Sequence, residues 1–338
     1  MTSSKNNALY WHKENQAVVC DLCPRRCVLR DGQRGFCFVR KNQDGVLVSD
    51  AYGRCCGLSI DPIEKKPLYH FYPGSNILSF GTAGCNMGCM FCQNWHLSKA
   101  KSLREMSYEV TPKEIAKLAK KHNCRSVAFT YNDPIIFIEY AIETAKECKK
   151  LGIKTVAVTA GYIEEKPRKD FFEFIDAVNV DLKAFSEDFY KKNCLASLKP
   201  VLDTLLYIKQ KTDVWLEITN LLIPGENDSQ EEIITLVDWI ADNLGLDVPL
   251  HLSAFYPSYK FMDKPKTPSE ILKRARKMAL VKDLRYVYTG NITDKEGGNT
   301  YCPGCGNTII DREYFQLART SIKDSCCKSC GYEIAGQF

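Results

Sequence analysis

An alternation of strand-like and helix-like segments limits most strongly how this chain can fold. Short apolar segments rich in β-branched and aromatic residues are separated by segments with helical periodicity. The strand-like segments are residues 77–80, 126–131, 154–159, 177–182, 215–223 and 249–255, with a short seventh candidate at 286–288. Repeated βα units predict an α/β fold with a parallel sheet and right-handed crossovers. Periodicity alone leaves open a doubly wound sheet and a complete or partial barrel.

Two helix starts are marked by capping residues. Thr111 is followed by Pro112 and by Glu114, which predicts a capping box with proline at the first helical position. The segment 267–270, Thr-Pro-Ser-Glu, has the same order and predicts the same start.

The flanks of this core differ from it in character. The chain has 338 residues, enough for one large domain with a small accessory or for two medium domains. We predict a Cys-rich N-terminal extension over 1–75, a barrel-like core over 76–293 and a small Cys-containing module over 294–338. The net charge of +5 is spread along the chain and does not itself indicate nucleic acid. No signal peptide and no membrane span are expected, so we predict a cytoplasmic protein.

Seventeen cysteines stand out in such a chain. Cysteine-rich cytosolic proteins bind metal more often than they form disulfides. Cys124, Cys148 and Cys194 are isolated and are expected to behave as small buried hydrophobic residues. The others cluster, so we expect metal sites.

A tight trio, Cys85, Cys89 and Cys92, directly follows the first strand. Three thiolates at C-x3-C-x2-C spacing can hold three irons of a [4Fe–4S] cluster and leave the fourth open for chemistry. Loops at the carboxyl ends of barrel strands are the usual place for such groups. The alternative is a Cys3His zinc site completed by His96.

Phe91, just before the last cysteine of the trio, could pack a flat ring against a purine. With it the motif resembles the signature of the radical S-adenosylmethionine (SAM) superfamily, C-x3-C-x-aromatic-C after the first strand of a partial (β/α)6 barrel. The resemblance implies that fold, and SAM bound to the open iron through its amino and carboxylate groups. It further implies reductive cleavage to a 5′-deoxyadenosyl radical that removes hydrogen from a substrate.

Other strand ends supply further candidates. Asn132 and Asp133 stand where relatives place a Gly-Gly-Glu-like motif that contacts the SAM amino group, although Asn-Asp-Pro is also a turn signal. Thr159, Asp181 and Lys183 resemble positions near SAM in activators of glycyl radical enzymes; an Asp–Lys ion pair is the plain alternative for the last two. His251 resembles a histidine near the cofactor, or is a buried core histidine. By resemblance, Asp181, Lys183 and His251 are also candidate catalytic residues.

The closest resemblance is to the radical SAM protein of the AmmeMemoRadiSam system, related to pyruvate formate-lyase activating enzyme. It is carried by segments 20–27 (CDLCPRRC), 35–37, 61–68, 70–74, 131–134 and 92–95, the last containing Asn94, a candidate SAM contact. The resemblance covers most of the chain. It implies an electron donor such as flavodoxin or ferredoxin.

Two outer cysteine groups flank the core. Cys302, Cys305, Cys327 and Cys330 form two Cys-x2-Cys-Gly knuckles, a zinc-ribbon pattern with four closed ligands. Rubredoxin-like iron or an auxiliary Fe–S cluster is the alternative there. Cys20, Cys23, Cys27 and Cys37 can also surround one metal, either zinc or a [4Fe–4S] cluster. We favour zinc, because a small loop-rich appendage gains folding energy from a structural metal.

Three functions remain open from the sequence. The first is a radical SAM enzyme acting on a protein, peptide or small molecule. The second is a radical SAM enzyme that modifies RNA, which the absence of a basic stripe interleaved with aromatics around the ribbon disfavours. The third is a non-enzymatic scaffold with zinc in all three cysteine groups. We favour the first, with a protein or peptide as substrate.

Overall fold

The computed structural model describes residues 7–100 and 107–338. Its strands, in chain order, are β1 (Trp11–Glu14), β2 (Ala17–Cys20), β3 (Val28–Leu29), β4 (Arg40–Gln43), β5 (Val46–Ser49), β6 (Arg54–Pro62), β7 (Asn76–Gly81), β8 (Tyr108–Glu109), β9 (Ser126–Phe129), β10 (Lys154–Thr159), β11 (Ala177–Asp181), β12 (Trp215–Leu222), β13 (Leu250–Ala254), β14 (Val287–Gly290), β15 (Thr300–Tyr301), β16 (Thr308–Glu313), β17 (Gln316–Thr320), β18 (Ile322–Lys323) and β19 (Cys326–Cys327). The helices are α1 (Trp95–Ser98), α2 (Pro112–Lys121), α3 (Ile138–Lys150), α4 (Glu165–Phe172), α5 (Glu187–Phe189), α6 (Lys199–Lys211), α7 (Gln230–Leu244), α8 (Ser269–Val281) and α9 (Lys295–Gly298).

One nine-stranded sheet organises the molecule, in the order β14-β13-β12-β11-β10-β9-β7-β6-β8. The seven strands from β7 to β14 other than β8 pair in parallel, each with its neighbour. The edge strands β14 and β8 are not neighbours, so the α/β partial barrel is open. Because the strands are parallel, their carboxyl ends gather at one rim.

The barrel contains one parallel strand more than the six that the family resemblance implied. The weak candidate at 286–288 is β14, which pairs with β13 from Leu250↔Val287 to Ser253↔Gly290. On the other side the antiparallel β6 pairs with β7, so the sheet begins at Arg54, within the segment predicted as an extension.

The two predicted helix starts differ in outcome. At α2 the capping box is present: Thr111 accepts from the Glu114 amide and Glu114 accepts from the Thr111 amide. The start predicted at Thr267 is wrong, since α8 begins at Ser269. Thr267 Oγ1 is instead buried, donating to Leu222 O at 2.6 Å and accepting from Phe255 N at 2.9 Å, so it joins two strand ends rather than capping a helix.

The N-terminal segment packs on the barrel rather than hanging from it. Its small sheets are β1-β2-β3 and β4-β5. Arg40 of β4 forms an ion pair with Glu139 of α3, with Nη2 2.6 and 2.7 Å from the two carboxylate oxygens. The two side chains are 1% and 8% exposed. A buried pair of this kind fixes the segment against α3.

The C-terminal segment covers the amino-terminal end of the barrel. Arg312 of β16 is buried and donates to Tyr69 O at 2.7 Å and to Thr300 Oγ1 at 2.8 Å. The ring of His70 bonds Ala335 O through Nδ1 at 2.7 Å and Tyr288 Oη through Nε2 at 2.6 Å. No helix in the described part of the chain is long and apolar enough to span a membrane.

Candidate active site

A cavity of about 250 Å³ lies at the carboxyl ends of the barrel strands. Its wall is drawn from the loop after β7 and from the ends of β9 through β13. Ten of the eleven core residues predicted from the sequence line it: Cys85, Cys89, Phe91, Cys92, Asn94, Asn132, Asp133, Thr159, Asp181 and Lys183. The parallel sheet therefore brings together side chains that lie almost 100 residues apart in the chain.

The cysteine loop, residues 84–92, is held by backbone contacts on several sides. Gly84 N donates to Leu97 O at 3.0 Å, and Lys99 Nζ donates to Met87 O at 2.7 Å. On the far side Gly88 N donates to Cys194 O at 2.8 Å. A Cβ on Gly88 would lie 2.7 Å from Leu195 Cδ1, so this close approach requires glycine.

Asn132 locks the start of the same loop. Its Oδ1 accepts from Thr82 N at 3.1 Å, and its Nδ2 donates to Thr82 Oγ1 at 3.0 Å and to Gly84 O at 2.8 Å. These bonds use the amide's oxygen and both of its N–H groups. The contacts therefore assign Asn132 a positioning role in the cavity wall.

Asp133 is a buried carboxylate on the cavity wall. Its Oδ1 accepts from Thr159 Oγ1 at 2.9 Å and from Ile135 N at 3.2 Å, and its Oδ2 accepts from Ala160 N at 3.1 Å. Burial raises the pKa of Asp133 to about 6, although these hydrogen bonds lower it, and the charge of Asp181 raises it further. A cation entering the cavity would favour the ionised form.

Asp181 and Lys183 form an ion pair at the end of β11. Lys183 Nζ lies 2.6 Å from Asp181 Oδ2, and the side chains are 17% and 29% exposed. Burial disfavours the lysine charge, but the charges of Asp181 and Cys89 outweigh it and raise the pKa of Lys183. An Asp–Lys ion pair is the alternative that the sequence offers to a role near SAM at these positions. The structure contains this ion pair, and both side chains line the cavity.

The three thiols suit a cluster better than one ion. Thiolates around one zinc lie about 3.8 Å apart, given Zn–S bonds of about 2.3 Å. Of the residues described, only the C-terminal cysteines place all their ligand atoms within 4.8 Å of one another; the central trio does not, with or without His96. Three thiolates that are not gathered around one ion are compatible with a cluster, in which each binds a different iron.

The pKa values of the thiols in the trio differ because their surroundings differ. A hydrogen bond with Cys194 lowers the pKa of Cys89 to about 7 against the effect of burial, helped by the charges of Lys183 and Lys99. Burial raises the pKa of Cys85 to about 12. Cys92 Sγ lies 3.2 Å from Ser98 Oγ. The trio is thus a cavity-facing set of thiols with one already biased toward thiolate.

Phe91 and Asn94 also contact protein groups. Phe91 is buried, with ring centroids 5.7 Å from Phe189 and 6.0 Å from Phe261. Asn94 Nδ2 donates to Tyr131 O at 3.0 Å and leaves its carbonyl without a protein partner among the described contacts. Both still line the cavity, where part of each remains accessible to a ligand.

His251 is the exception among the predicted core residues, because it does not line the cavity. It lies deeper in the barrel, near the start of β13, with Nε2 2.6 Å from Glu217 Oε2. Glu217 also accepts from the amides of Tyr69 and His70 at 2.9 and 2.8 Å. The family resemblance predicts a cofactor contact on β13, and this strand does contribute to the cavity wall, but through Ser253.

Sequence reasoning missed three contributors. Cys194, predicted to be a small buried hydrophobic residue, lies beside Cys89 and lowers the pKa of its thiol. Ser98 lies against Cys92, and Asn291 lines the cavity just after β14. Asn291 could have been found by applying the strand-end argument to the seventh strand. Nothing in the sequence signals the contact between Cys194 and a residue more than 100 positions earlier.

The C-terminal cysteines form a compact group that could bind a metal. Cys302 Sγ lies 3.5 Å from Cys330 Sγ, and Cys305 Sγ lies 3.9 Å from Cys327 Sγ. These separations match the expectation for a single tetrahedral zinc. The four N-terminal cysteines do not form such a compact group within the described ranges.

Comparison with known proteins places this geometry in a family. The sequence profile of the Radical SAM superfamily matches residues 80–237. The chain is 42% identical over 330 residues to Uncharacterized protein MJ0808 of Methanocaldococcus jannaschii, covering 97% of this chain and 98% of that protein. The chain belongs to the radical SAM superfamily.

More distant matches refine the relationship. The pyruvate formate-lyase-activating enzyme of Clostridium pasteurianum is 29% identical over 164 residues, or 46% of this chain and 66% of that one. The fold is similar to SuiB of Streptococcus suis bound to S-adenosylmethionine, with a TM-score of 0.51, 16% identity, and coverage of 68% of this chain and 53% of that one. The protein is thus a radical SAM enzyme related to the pyruvate formate-lyase activating enzymes, and this family implies a [4Fe–4S] cluster and SAM.

Proposed function

We propose that this enzyme binds its cluster at Cys85, Cys89 and Cys92, cleaves SAM reductively and removes hydrogen from a protein or peptide. The observation that carries the proposal is the single cavity in which the three thiols face Asp133, Thr159, Asp181 and Lys183. The resemblance to the AmmeMemoRadiSam radical SAM protein agrees with this proposal, as does the relationship to activating enzymes.

The cluster and SAM, when bound, supply a one-electron cleavage of the S–C5′ bond that yields methionine and a 5′-deoxyadenosyl radical. The chain's own groups bind, orient and exclude water. Asp133 offers a carboxylate to an N–H donor such as the amino group of SAM, and Thr159 Oγ1 holds that carboxylate in place. Lys183, beside Asp181 on the cavity wall, can bind a ligand carboxylate. Asn94 Oδ1, to which no protein group donates among the described contacts, can accept from a hydrogen-bond donor of the ligand.

Substrate size is suggested by the space beyond the cavity. Gln93 and Asn291 line both the site cavity and a second space of about 420 Å³. Tyr256 and Asn291 line that space and a third of about 900 Å³, which reaches Arg312 and Tyr314 of the C-terminal segment. The shared residues show that the three spaces are adjacent, and we call them together the mouth groove.

An extended peptide segment fits the mouth groove better than a small molecule does. Small-molecule sites are typically clefts or cavities of about 300–1,000 Å³, whereas the mouth groove adds spaces of about 420 and 900 Å³ to the site cavity of about 250 Å³ and extends to the C-terminal segment. Its walls carry both signs of charge, including Lys266, Asp294 and Glu313, with aromatic groups between them. SuiB has been crystallised with its precursor peptide SuiA, so the fold can admit a peptide.

The reaction is tested by anaerobic incubation with reductant and SAM, following 5′-deoxyadenosine. A protein fraction from the native cell should raise 5′-deoxyadenosine above the uncoupled level, and deuterium from labelled substrate protein should appear in it. Protease treatment of the fraction should abolish the increase. An increase that survives protease and passes a small-molecule filter would refute the protein substrate. Protein purified without iron that cleaves no SAM after cluster reconstitution would refute the enzyme itself.

A matched pair of tyrosines tests the mouth groove. Tyr314 lines it and is 74% exposed, while Tyr108 is 72% exposed on β8 at the far edge of the sheet. We expect Tyr314→Ala to raise the KM for the protein substrate several-fold and to leave uncoupled SAM cleavage unchanged. Tyr108→Ala should change neither. Equal effects of the two substitutions would exclude the groove as the docking site.

A further inference from the structure

The four N-terminal cysteines converge in one place. The backbone joins two of them, because Cys20 N donates to Cys27 O at 3.0 Å. Cys27 Sγ lies 3.6 Å from the position of a Cβ on Gly35, two residues before Cys37. Cys20, Cys23 and Cys37 are buried, and Cys27 is half-buried. The group therefore lies beneath the surface and reaches it on the Cys27 side.

Their spacing differs from that of the C-terminal group. All four C-terminal thiols lie within 4.8 Å of one another, whereas no three of the N-terminal thiols meet that limit in the part of the chain that is described. In this respect the N-terminal group resembles the central trio. Four cysteines that converge on one place without the compact arrangement of a single-ion site suit a cluster in which each binds its own iron.

The reason for favouring zinc here also loses its force. It assumed a loop-rich appendage that needs a metal in order to fold. The segment is instead fixed to the barrel by the buried Arg40–Glu139 pair, and Leu9 N donates to the same glutamate at 2.7 Å. A metal here need not be a structural one.

The N-terminal group lies directly against the cysteine loop of the active site. A Cβ on Gly84, the residue before Cys85, would lie 2.1 Å from Cys37 O, so the two backbones are in contact. Arg25, between Cys23 and Cys27, donates through Nε to Asn86 O in the cysteine loop and through Nη2 to Leu195 O. Cys37 and Cys85 are thus linked by one van der Waals contact and a single residue.

We infer that Cys20, Cys23, Cys27 and Cys37 hold a second, fully ligated [4Fe–4S] cluster that passes electrons to the cluster of the active site. The transfer to the active site rests on the proposed function; the cluster itself does not. With four protein ligands no iron is open to SAM or substrate, which leaves electron transfer as its chemistry.

The electron count balances with a one-electron donor protein of the flavodoxin or ferredoxin class. The donor loses one electron and the N-terminal cluster gains it, going from the 2+ to the 1+ state. That electron then passes across the Cys37–Gly84 contact, returning the N-terminal cluster to 2+ and reducing the active-site cluster to 1+. SAM accepts it as its S–C5′ bond breaks. The half-buried Cys27 marks the side from which the donor approaches.

The first test uses the full chain with Cys85, Cys89 and Cys92 all replaced by Ala, purified anaerobically. We expect roughly four irons and four sulfides per chain, together with an electron paramagnetic resonance signal after reduction. This variant cannot cleave SAM, so the result does not depend on the proposed function. Iron-free protein with a second zinc would overturn the inference.

The second test measures proximity. In reduced wild type, the signal of the N-terminal cluster should relax faster and broaden, because a second paramagnet lies nearby; in the triple variant it should be narrow.

Cys27→Ser should lower iron to that of one cluster, and the matched control Cys124→Ser, at an isolated buried cysteine, should leave iron unchanged. Identical spectra in wild type and triple variant would refute the transfer path. A coupled wild type that cleaves no SAM would instead refute only the proposed function.

Discussion

Replacing Gly84 by Ala should disturb both N-terminal and central cysteine groups at once. Gly84 has φ +87°, a conformation that costs an L-residue about 1–2 kcal/mol. Its new Cβ would also lie 2.1 Å from Cys37 O and 3.1 Å from Val39 Cγ1. The carbonyl belongs to the backbone and cannot rotate away, so overpacking should cost about 1–3 kcal/mol more.

A second glycine isolates the contact from the backbone strain. Gly245, which ends α7, has φ +91° and no atom within 4 Å of the position that an alanine Cβ would take. At ψ 164° Gly245 lies in a region that is essentially restricted to glycine, so Gly245→Ala should lose only the conformational cost, about 1–3 kcal/mol. Gly84→Ala carries about 1–3 kcal/mol of overpacking in addition to its backbone cost, and this additional loss, together with loss of iron, reports the contact between the N-terminal segment and the cysteine loop.

The assay is anaerobic urea unfolding of both variants, with iron and sulfide analysis of the same preparations. We expect Gly84→Ala to have the lower free energy of unfolding and to lose iron, because displacement of the Cys37 carbonyl or of Gly84 moves a ligand of each group. Gly245→Ala should keep the wild-type iron content. If the two variants match in both stability and iron content, the packing argument is wrong.

Four further outcomes follow from the buried charges and the trio. Burial raises the pKa of Asp133 to about 6, so wild-type affinity for SAM should rise as pH increases from 5 to 7, while Asp133→Asn should bind weakly at every pH. Since the folded-state pKa of Asp133 lies above the ordinary value, the free energy of unfolding should fall by about 3 kcal/mol as the pH rises from 4 to 6 and the carboxyl group ionises. Calorimetry of Asp133→Asn should show no such loss. Arg40→Met leaves Glu139 buried and unpaired and should cost about 3–5 kcal/mol, with Arg40→Met/Glu139→Gln recovering part of it in urea unfolding. Replacing all three central cysteines by Ala should abolish 5′-deoxyadenosine formation while the circular dichroism spectrum is kept; native-rate cleavage would contradict the cluster assignment.

The alternation of elements could be predicted from sequence because each strand and helix has its own local pattern. The strand predicted at 154–159 is β10, and the other parallel strands differ by one or two residues at their ends. The antiparallel β6 could not be predicted, since its residues alternate poorly in burial and its pairing with β7 depends on a long connection. The division into 1–75, 76–293 and 294–338 remains a prediction.

Site residues could be predicted where a strand end and a chemical type coincide. Asp133, Thr159 and Asp181 each follow or end a parallel strand, so topology alone places them at one rim. The position of a side chain along a strand could not be predicted in this way. His251 and Ser253 lie on the same strand, and only the structure shows that Ser253 lines the cavity. Contacts between loops, such as Cys194 with Cys89, depend on packing that no local pattern encodes.

The C-terminal cysteines should bind one zinc that SAM cleavage does not need, and the fold dictates how to test this. Truncation near Asp294 would remove Arg312 and Ala335, which contact Tyr69 and His70 beneath the barrel. Such a truncation would uncover the barrel floor and would confuse loss of zinc with loss of fold.

Point variants at the exposed ligands avoid that problem. Cys305 and Cys330 are exposed, while Arg312 on β16 keeps its buried partners without them. We expect Cys305→Ser/Cys330→Ser to lose one zinc per chain and to keep the iron content and rate of 5′-deoxyadenosine formation, measured by mass spectrometry of metals and by chromatography. Arg312→Met, which strips buried Glu64 of its nearby cation, should instead keep the zinc and lower the free energy of unfolding. If the cysteine variant loses iron as well, the knuckles hold the barrel together and their role is not confined to zinc.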